Sequence, residues 1–293
     1  SPPFSRHPRH QTPTRPEGEP LYTYLSKTKH PGMKQYKDAR VVVTGAGSGI
    51  GLELIRQLYP HTKNLLAVDY LPEHLDRIRV EFPEIKGLVL ADLSEKEGNA
   101  PILEWIKSHW KGVDFCFANA GKASFAPAAE QDWENMEYLF QLNVHSPIQL
   151  GLALKRTFPN HSLRHVITCS AIAYWAIPGY SLYSSTKAAL LQWADCLWAE
   201  RDGDWLTLVF PIATATSFFD AAGSNIPKSF PMQRPQEVAE NMLMGAAKRK
   251  KKIFPSTLFR SLLFLNRFLF FLQPLAQYLE YNKFKNWLSK SSS

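Results

Sequence analysis

Short apolar runs alternate with longer stretches of helical periodicity along most of the chain. The runs lie near residues 40–44, 64–68, 86–91, 113–118, 164–169 and 205–210, with a last short one near 252–254. They are apolar at consecutive positions rather than at every second one, as in strands covered on both faces. Strand–helix alternation of this kind predicts an α/β fold. Its sheet is parallel, doubly wound and about seven strands wide, with right-handed crossovers and helices on both faces. Ligands of such sheets bind beyond the carboxyl ends of the strands.

Both ends of the chain break the pattern. Residues 1–38 are rich in Pro, Arg, His and Thr and have no apolar core segment, which predicts a disordered extension and not a secretory signal. Met33 is the only methionine near that end, so residues 1–32 read as an addition. Residues 39–255 carry the strand–helix pattern, and 256–293 form a tail. In the tail, positions 258–272 are almost all Leu and Phe, broken by Arg260, Asn266 and Arg267. Pro274 interrupts, and a segment with Tyr278, Tyr281, Phe284 and Trp287 follows. The longest unbroken apolar run, 268–272, is far short of a membrane span. The tail predicts an amphipathic helical extension lying in a membrane interface, with a subunit contact or a lid over a pocket as alternatives.

Charge sharpens this division. Residues 1–38 carry seven Lys/Arg against three acids, 39–247 carry 17 against 22, and 248–293 carry ten against one. A mildly acidic middle argues against a nucleic-acid-binding catalytic face, while basic tails suit something anionic. The run Lys248-Arg249-Lys250-Lys251-Lys252 lacks the adjacent stacking aromatics of a nucleic-acid site. Cys116, Cys169 and Cys196 have no metal-ligand spacing and suggest small buried side chains in a reducing, cytoplasmic compartment. Of the nine histidines only His161 and His165 are four apart, and no Cys-x-x-Cys accompanies them, so no metal is expected. No G-x-S-x-G occurs, which removes support for a hydrolase.

Two motifs carry chemistry. The strand Arg40-Val41-Val42-Val43-Thr44 runs into Gly45-Ala46-Gly47-Ser48-Gly49-Ile50-Gly51 and then a helical pattern. Glycines at such a turn let the backbone approach a pyrophosphate, which then rests on the helix N-terminus. A second strand ends in Asp69, 18 residues past Gly51, where a carboxylate would hold ribose hydroxyls. The second motif is Tyr183 with Lys187 four residues on, one helical turn apart on one face. A lysine ammonium there favours the phenolate of a side chain whose ordinary pKa is about 10. Ser170, on a neighbouring strand end, would hold a substrate oxygen against that phenol, although an ordinary turn cap is its simpler role.

With these residues in place, the chain resembles the short-chain dehydrogenase/reductase family over roughly residues 39–252. Gly45, Gly47, Ser48, Gly49, Ile50 and Gly51 look like its cofactor loop, and Asn119-Ala120-Gly121 like its strand-4 motif. Asn143 and Ser170 precede Tyr183 by 40 and 13 residues, the spacings of the family's Asn-Ser-Tyr-Lys tetrad. The resemblance implies a Rossmann-type catalytic domain in which Tyr183 is the general acid/base and Lys187 lowers its pKa and binds the nicotinamide ribose. It further implies that Ser170 orients the substrate oxygen and that Asn143 holds a water linking Lys187 to solvent. Asp92 and Leu93 fall where the family contacts adenine, and Pro211 and Thr216 where it meets the nicotinamide end. Pro211-Ile212 replaces the family's usual Pro-Gly. Asp69 followed by Tyr70, with Ser48 at a position often basic in NADP users, favours NAD(H), with NADP(H) the second candidate.

The substrate clues are apolar. Tyr174, Trp175, Ile177 and Pro178, with Phe218, Phe219, Ile226, Phe230 and Met232, fall in the two segments that form the family's substrate wall and lid. They suit an apolar small-molecule alcohol or ketone, with Lys122 and Lys228 near the mouth. A homodimer or homotetramer is expected. The rival reading is a non-catalytic cofactor-binding or lipid-docking scaffold on the same fold.

Overall fold

The computed structural model describes residues 31–291, apart from 217, 219–221, 223–225 and 228–230. Most of the expected N-terminal extension, together with Phe219, Phe230 and Lys228, therefore lies outside the described residues. The sheet comprises β1 (Val41–Thr44), β2 (Leu65–Asp69), β3 (Gly87–Leu90), β4 (Phe115–Ala118), β5 (Arg164–Thr168), β6 (Leu206–Val209) and β7 (Lys252–Ile253). All pairings are parallel, in the order β3-β2-β1-β4-β5-β6-β7. The order reverses beside β1, which opens a crevice at its carboxyl end. The helices are α1 (Gly49–Leu58), α2 (Pro72–Glu81), α3 (Ala100–His109), α4 (Trp133–Phe140), α5 (Ser146–Thr157), α6 (Ser181–Ala199), α7 (Pro235–Ala247), α8 (Thr257–Leu265) and α9 (Leu272–Ser291).

Alternation along each strand feeds two cores. Val41 and Val43 face one side, against Leu54, Ile55 and Leu58 of α1 and Val238, Met242 and Leu243 of α7. Val42 and Leu66 face the other, against Ile102 and Ile106 of α3, Leu150 and Leu154 of α5, and Leu190 and Ala194 of α6. Burial on both faces explains the unbroken apolar runs; each fully buried Val or Leu side chain contributes about 1.5–3 kcal/mol.

The boundary drawn at residue 38 needs moving. Pro31–Tyr36 forms a 3₁₀ turn, and Tyr36 is fully buried against Phe115 and Phe117, its hydroxyl donating to Leu243 O at 2.8 Å. These residues belong to the folded domain. Cys116 and Cys169 are buried as expected, whereas Cys196 is exposed on α6.

In the tail, Ser256 caps α8 by accepting from Phe259 N at 3.1 Å. Pro274 does not separate two segments: it sits in the first turn of α9, where its missing N–H costs nothing. Among the described residues no helix is long and apolar enough to cross a membrane.

Candidate active site

The carboxyl ends of β1, β4 and β5 are tied together by polar side chains. Thr44 Oγ1 accepts from Asn119 N and Ala120 N, both at 3.1 Å. Thr168 Oγ1 donates to Asn119 Oδ1 at 3.0 Å. Around this brace lies a cleft of about 560 Å³, a size typical of small-molecule sites. The Gly loop forms one wall through Gly45, Ser48, Gly49 and Ile50. Asp69, Asp92 and Leu93 extend the cleft over β2 and β3, and Asn119, Ala120 and Gly121 floor it. Ser170, Tyr183, Pro211 and Thr216 close the opposite end.

The loop's backbone explains its glycines. Gly45 and Gly49 have φ of 62° and 51°, the left-handed region that favours glycine. A Cβ at Gly49 would press on Thr216 Cγ2 at 2.9 Å, and one at Gly51 would collide with Gly45 O. Gly47 and Gly51 thus shape the loop without lining the cleft. Ser48 precedes α1 without a side-chain cap, so the first-turn amides keep their donors for a ligand. These features fit a dinucleotide pyrophosphate.

Asp69 is 5% exposed, and its carboxylate accepts from Gly47 N (2.9 Å), Leu71 N (3.2 Å) and His74 Nδ1 (2.9 Å). His74, which the sequence reading did not single out, therefore ties Asp69 to α2 while packing over Gly47. Asp92 caps its own turn, accepting from Ser94 N at 2.9 Å and Ser94 Oγ at 2.6 Å. Its turn role and its place on the cleft wall coexist.

The tetrad assembles in space. Tyr183 is the third residue of α6 and 5% exposed. Ser170, just past β5, lines the cleft with Tyr183, and its Oγ accepts from Ile172 N at 3.3 Å. Cap and site role coincide. The Lys187 ammonium lies 5.6 Å from the Tyr183 ring centre and donates to Thr168 O at 3.0 Å. Asn143 sits in a widened helical turn, Gln141–His145, between α4 and α5. Its amide exchanges bonds with Lys122 O (2.8 Å) and Lys122 N (3.0 Å) and donates to Thr186 Oγ1 (3.2 Å). The extra residue in that turn aims Asn143 at the strand-4 motif instead of outward.

Burial sets the electrostatics of the pair. It raises the Tyr183 phenol above its ordinary value, with Ser170 pulling the other way, and pushes Lys187 down to about 8. Desolvation is the largest influence on each, because both groups are nearly inaccessible. The phenol is therefore protonated at neutral pH, the state that donates to a carbonyl oxygen.

Against Tyr183 sits an aromatic cluster of whose rings only Phe125 and Tyr180 went unnamed in the sequence analysis. Phe125 packs on Tyr180 (4.7 Å between ring centres), Phe284 (5.8 Å) and Trp287 (4.9 Å). Tyr183 contacts Phe218 at 6.0 Å. Ile177 and Ile226 join this cluster, whereas Tyr174 turns to Phe210 and Phe254, and Trp175 to Phe259 of α8. Lys122 lies at the cleft. Ile212 donates its N–H to Gln233 Oε1 at 3.3 Å, and Gln233 pairs with Thr214 in a short bridge, so the loop keeps its path without the family's glycine. Among the described residues no group of His, Cys, Asp or Glu is placed to hold a metal.

A family model described as short chain dehydrogenase matches residues 39–222. The chain belongs to the short-chain dehydrogenase/reductase family. It is accordingly an oxidoreductase that uses NAD or NADP and acts on CH–OH groups. A fatty acyl-CoA reductase of Mycobacterium tuberculosis is 26% identical over 229 residues, 74% of this chain and 76% of the relative. A second fatty acyl-CoA reductase, from Acinetobacter baylyi, is also 26% identical, over 72% of this chain and 74% of the relative. Among solved structures, a Burkholderia phymatum family member in complex with NAD superposes with a TM-score of 0.70 at 18% identity, covering 82% of this chain and 96% of that one. A Sphingobium yanoikuyae dehydrogenase in complex with NADPH gives 0.64 at 23% identity, over 78% of this chain and 94% of that one. At these identities the structural likenesses concern the fold alone.

Proposed function

We propose that the protein interconverts an apolar alcohol and its carbonyl, of acyl-chain, sterol or similar character, with NAD(H) as the favoured cofactor. The observation that carries this reading is the Phe125–Tyr180–Phe284–Trp287 cluster, which joins the Tyr183 ring through Tyr180 at 6.2 Å between ring centres. An apolar chain would displace little bound water there, while Ser170 and Tyr183 supply a polar grip on its oxygen. When bound, the nicotinamide cofactor supplies or accepts the hydride. Ser170 orients the substrate oxygen, Tyr183 gives or takes its proton, and Lys187, joined to the brace through Thr168, contacts the cofactor ribose. Asn143 holds residues 121–122 and α6 in register, and a water there would link Lys187 to solvent. The two acyl-CoA reductases among the relatives support a long-chain substrate.

The NAD(H) preference rests on Asp69, whose carboxylate at the end of β2 repels a 2′-phosphate and attracts two hydroxyls. One observation favours NADP(H) as the second reading: Arg77 Nη2 donates to Gly47 O at 3.3 Å, which brings a cation beside the same loop. The test is a screen of NAD(H) and NADP(H) against long-chain alcohols, aldehydes and sterols. The reading predicts NADH oxidation with an apolar carbonyl. Cofactor binding without turnover of any panel member would instead identify a scaffold.

A further inference from the structure

Of the 17 large apolar side chains exposed among the described residues, 11 lie within 257–291. The concentration is sharpest at the turn joining α8 and α9, where Phe264, Phe268, Phe270 and Phe271 all face outward. That turn is internally bonded. Phe268 N donates to Leu265 O at 2.9 Å, Leu269 N to Leu265 O at 2.8 Å, and Gln273 N to Asn266 Oδ1 at 3.1 Å. The phenylalanines are thus presented by an ordered backbone. Both ends of the hairpin are anchored on the rim of the proposed substrate pocket. Phe259 of α8 meets Trp175 with 5.6 Å between ring centres, Gln277 Nε2 donates to Ala176 O at 3.0 Å, and Phe284 and Trp287 cover Phe125.

The charge of this element identifies what meets it. Residues 257–291 contain Arg260, Arg267, Lys283, Lys285 and Lys290 against Glu280 alone, and Glu280 is bonded to Lys283 at 2.6 Å. An apolar tip with Arg267 in its turn and Arg260 on α8, on an element of net positive charge, fits an anionic lipid surface, where burial and attraction act together. A second copy is a poorer occupant. Two-fold pairing through the tip would set Arg260 and Arg267 against their own copies with no acid nearby in the turn to offset them.

We infer that the α8–α9 hairpin seats on an anionic bilayer, its phenylalanines entering the acyl boundary, and that substrate passes from the bilayer beneath α9 to Tyr183. Docking follows from exposure and charge alone; only the substrate route rests on the proposed function.

The test uses the full chain with vesicles of phosphatidylcholine, alone or mixed with phosphatidylglycerol, followed by sedimentation. The protein should partition onto the mixed vesicles, and high salt should release only part of it, because screening leaves apolar burial intact. The double substitution Phe268→Asp with Phe270→Asp, at positions 70% and 81% exposed, should weaken partition by about 100-fold or more. NADH oxidation with a short water-soluble aldehyde should be unchanged in that variant, while oxidation with a vesicle-held long-chain aldehyde falls. A parent protein that ignores both vesicle types, or a double variant that binds as well as the parent, overturns docking. Loss of a dimer in the variant, with no vesicle binding by the parent, would assign the patch to an interface between copies. Intact docking with equal use of both aldehydes by parent and variant would reject the substrate route alone.

Discussion

The cleft and the tail are built from the same kinds of side chain and use them in opposite ways. Beside the cleft, Phe125 and Tyr180 are buried and held in edge-on contact with each other and, through Tyr180, with Tyr183. In the tail, Phe264 touches Phe268, and Phe270 touches Phe271, yet all four remain exposed. What separates them is the backbone beneath. Tyr180 and Tyr183 lie at the start of a helix packed on the sheet, and Phe125 N is bonded to Ala222 O at 3.0 Å. The tip of the hairpin has backbone order and no second layer. Aromatic content therefore tells where apolar contact is wanted, and the supporting layers decide whether the protein itself supplies it.

The comparison breaks most sharply at Tyr183. Tyr183→Phe removes the proton donor and little volume, so turnover should fall by about 10³-fold or more while NADH still quenches protein fluorescence with near-parent affinity. Retained turnover would mean that the cleft is not the reaction centre.

The packed half should also be the acid-sensitive half. His165 on β5 is fully buried, its Nε2–H donating to Pro147 O at 2.8 Å, and burial pushes its pKa down to about 4. A depressed histidine pKa means that the unfolded chain takes up a proton first. Its contribution is complete above pH 6.5 and is lost as pH falls from there towards 4, a change of about 3 kcal/mol. Urea unfolding at pH 7 and pH 4.5 measures it; His165→Gln should flatten part of the difference.

Cofactor choice comes next in size. Asp69→Ala combined with Tyr70→Arg should shift the NADH:NADPH affinity ratio by about 10–100-fold towards NADPH, by order of magnitude. Equilibrium titration of both variants and the parent provides the readout. A parent that already prefers NADPH would transfer the main role to Arg77.

Much of this was legible in the chain. Two-sided burial wrote the strands as solid apolar runs, so all seven appear within two residues of their expected positions. Fixed spacing exposed Ser170, Tyr183 and Lys187, because one helix turn and one loop separate them. Other features rest on contacts distant in sequence. Phe125 meets Trp287, and Tyr36 reaches Leu243, with no local signal to announce either pairing. The turn holding Asn143 reads as ordinary helix because its extra residue leaves the apolar pattern nearly intact. The raised Tyr183 phenol was illegible for a different reason: proximity to Lys187 can be read from spacing, but burial cannot.

The central claim is that an apolar substrate is reduced against the aromatic cluster of Phe125, Phe284 and Trp287 that adjoins Tyr183 through Tyr180. The most direct measurement is kcat/KM with NADH for straight-chain aldehydes of increasing length, in the parent and in Trp287→Ser. Each methylene newly buried against the cluster is worth about 0.8 kcal/mol, so kcat/KM in the parent should rise by up to about fourfold per carbon until the pocket is filled. The variant should lose much of that slope and keep its activity on the shortest aldehyde. A flat or falling series in the parent would contradict the account.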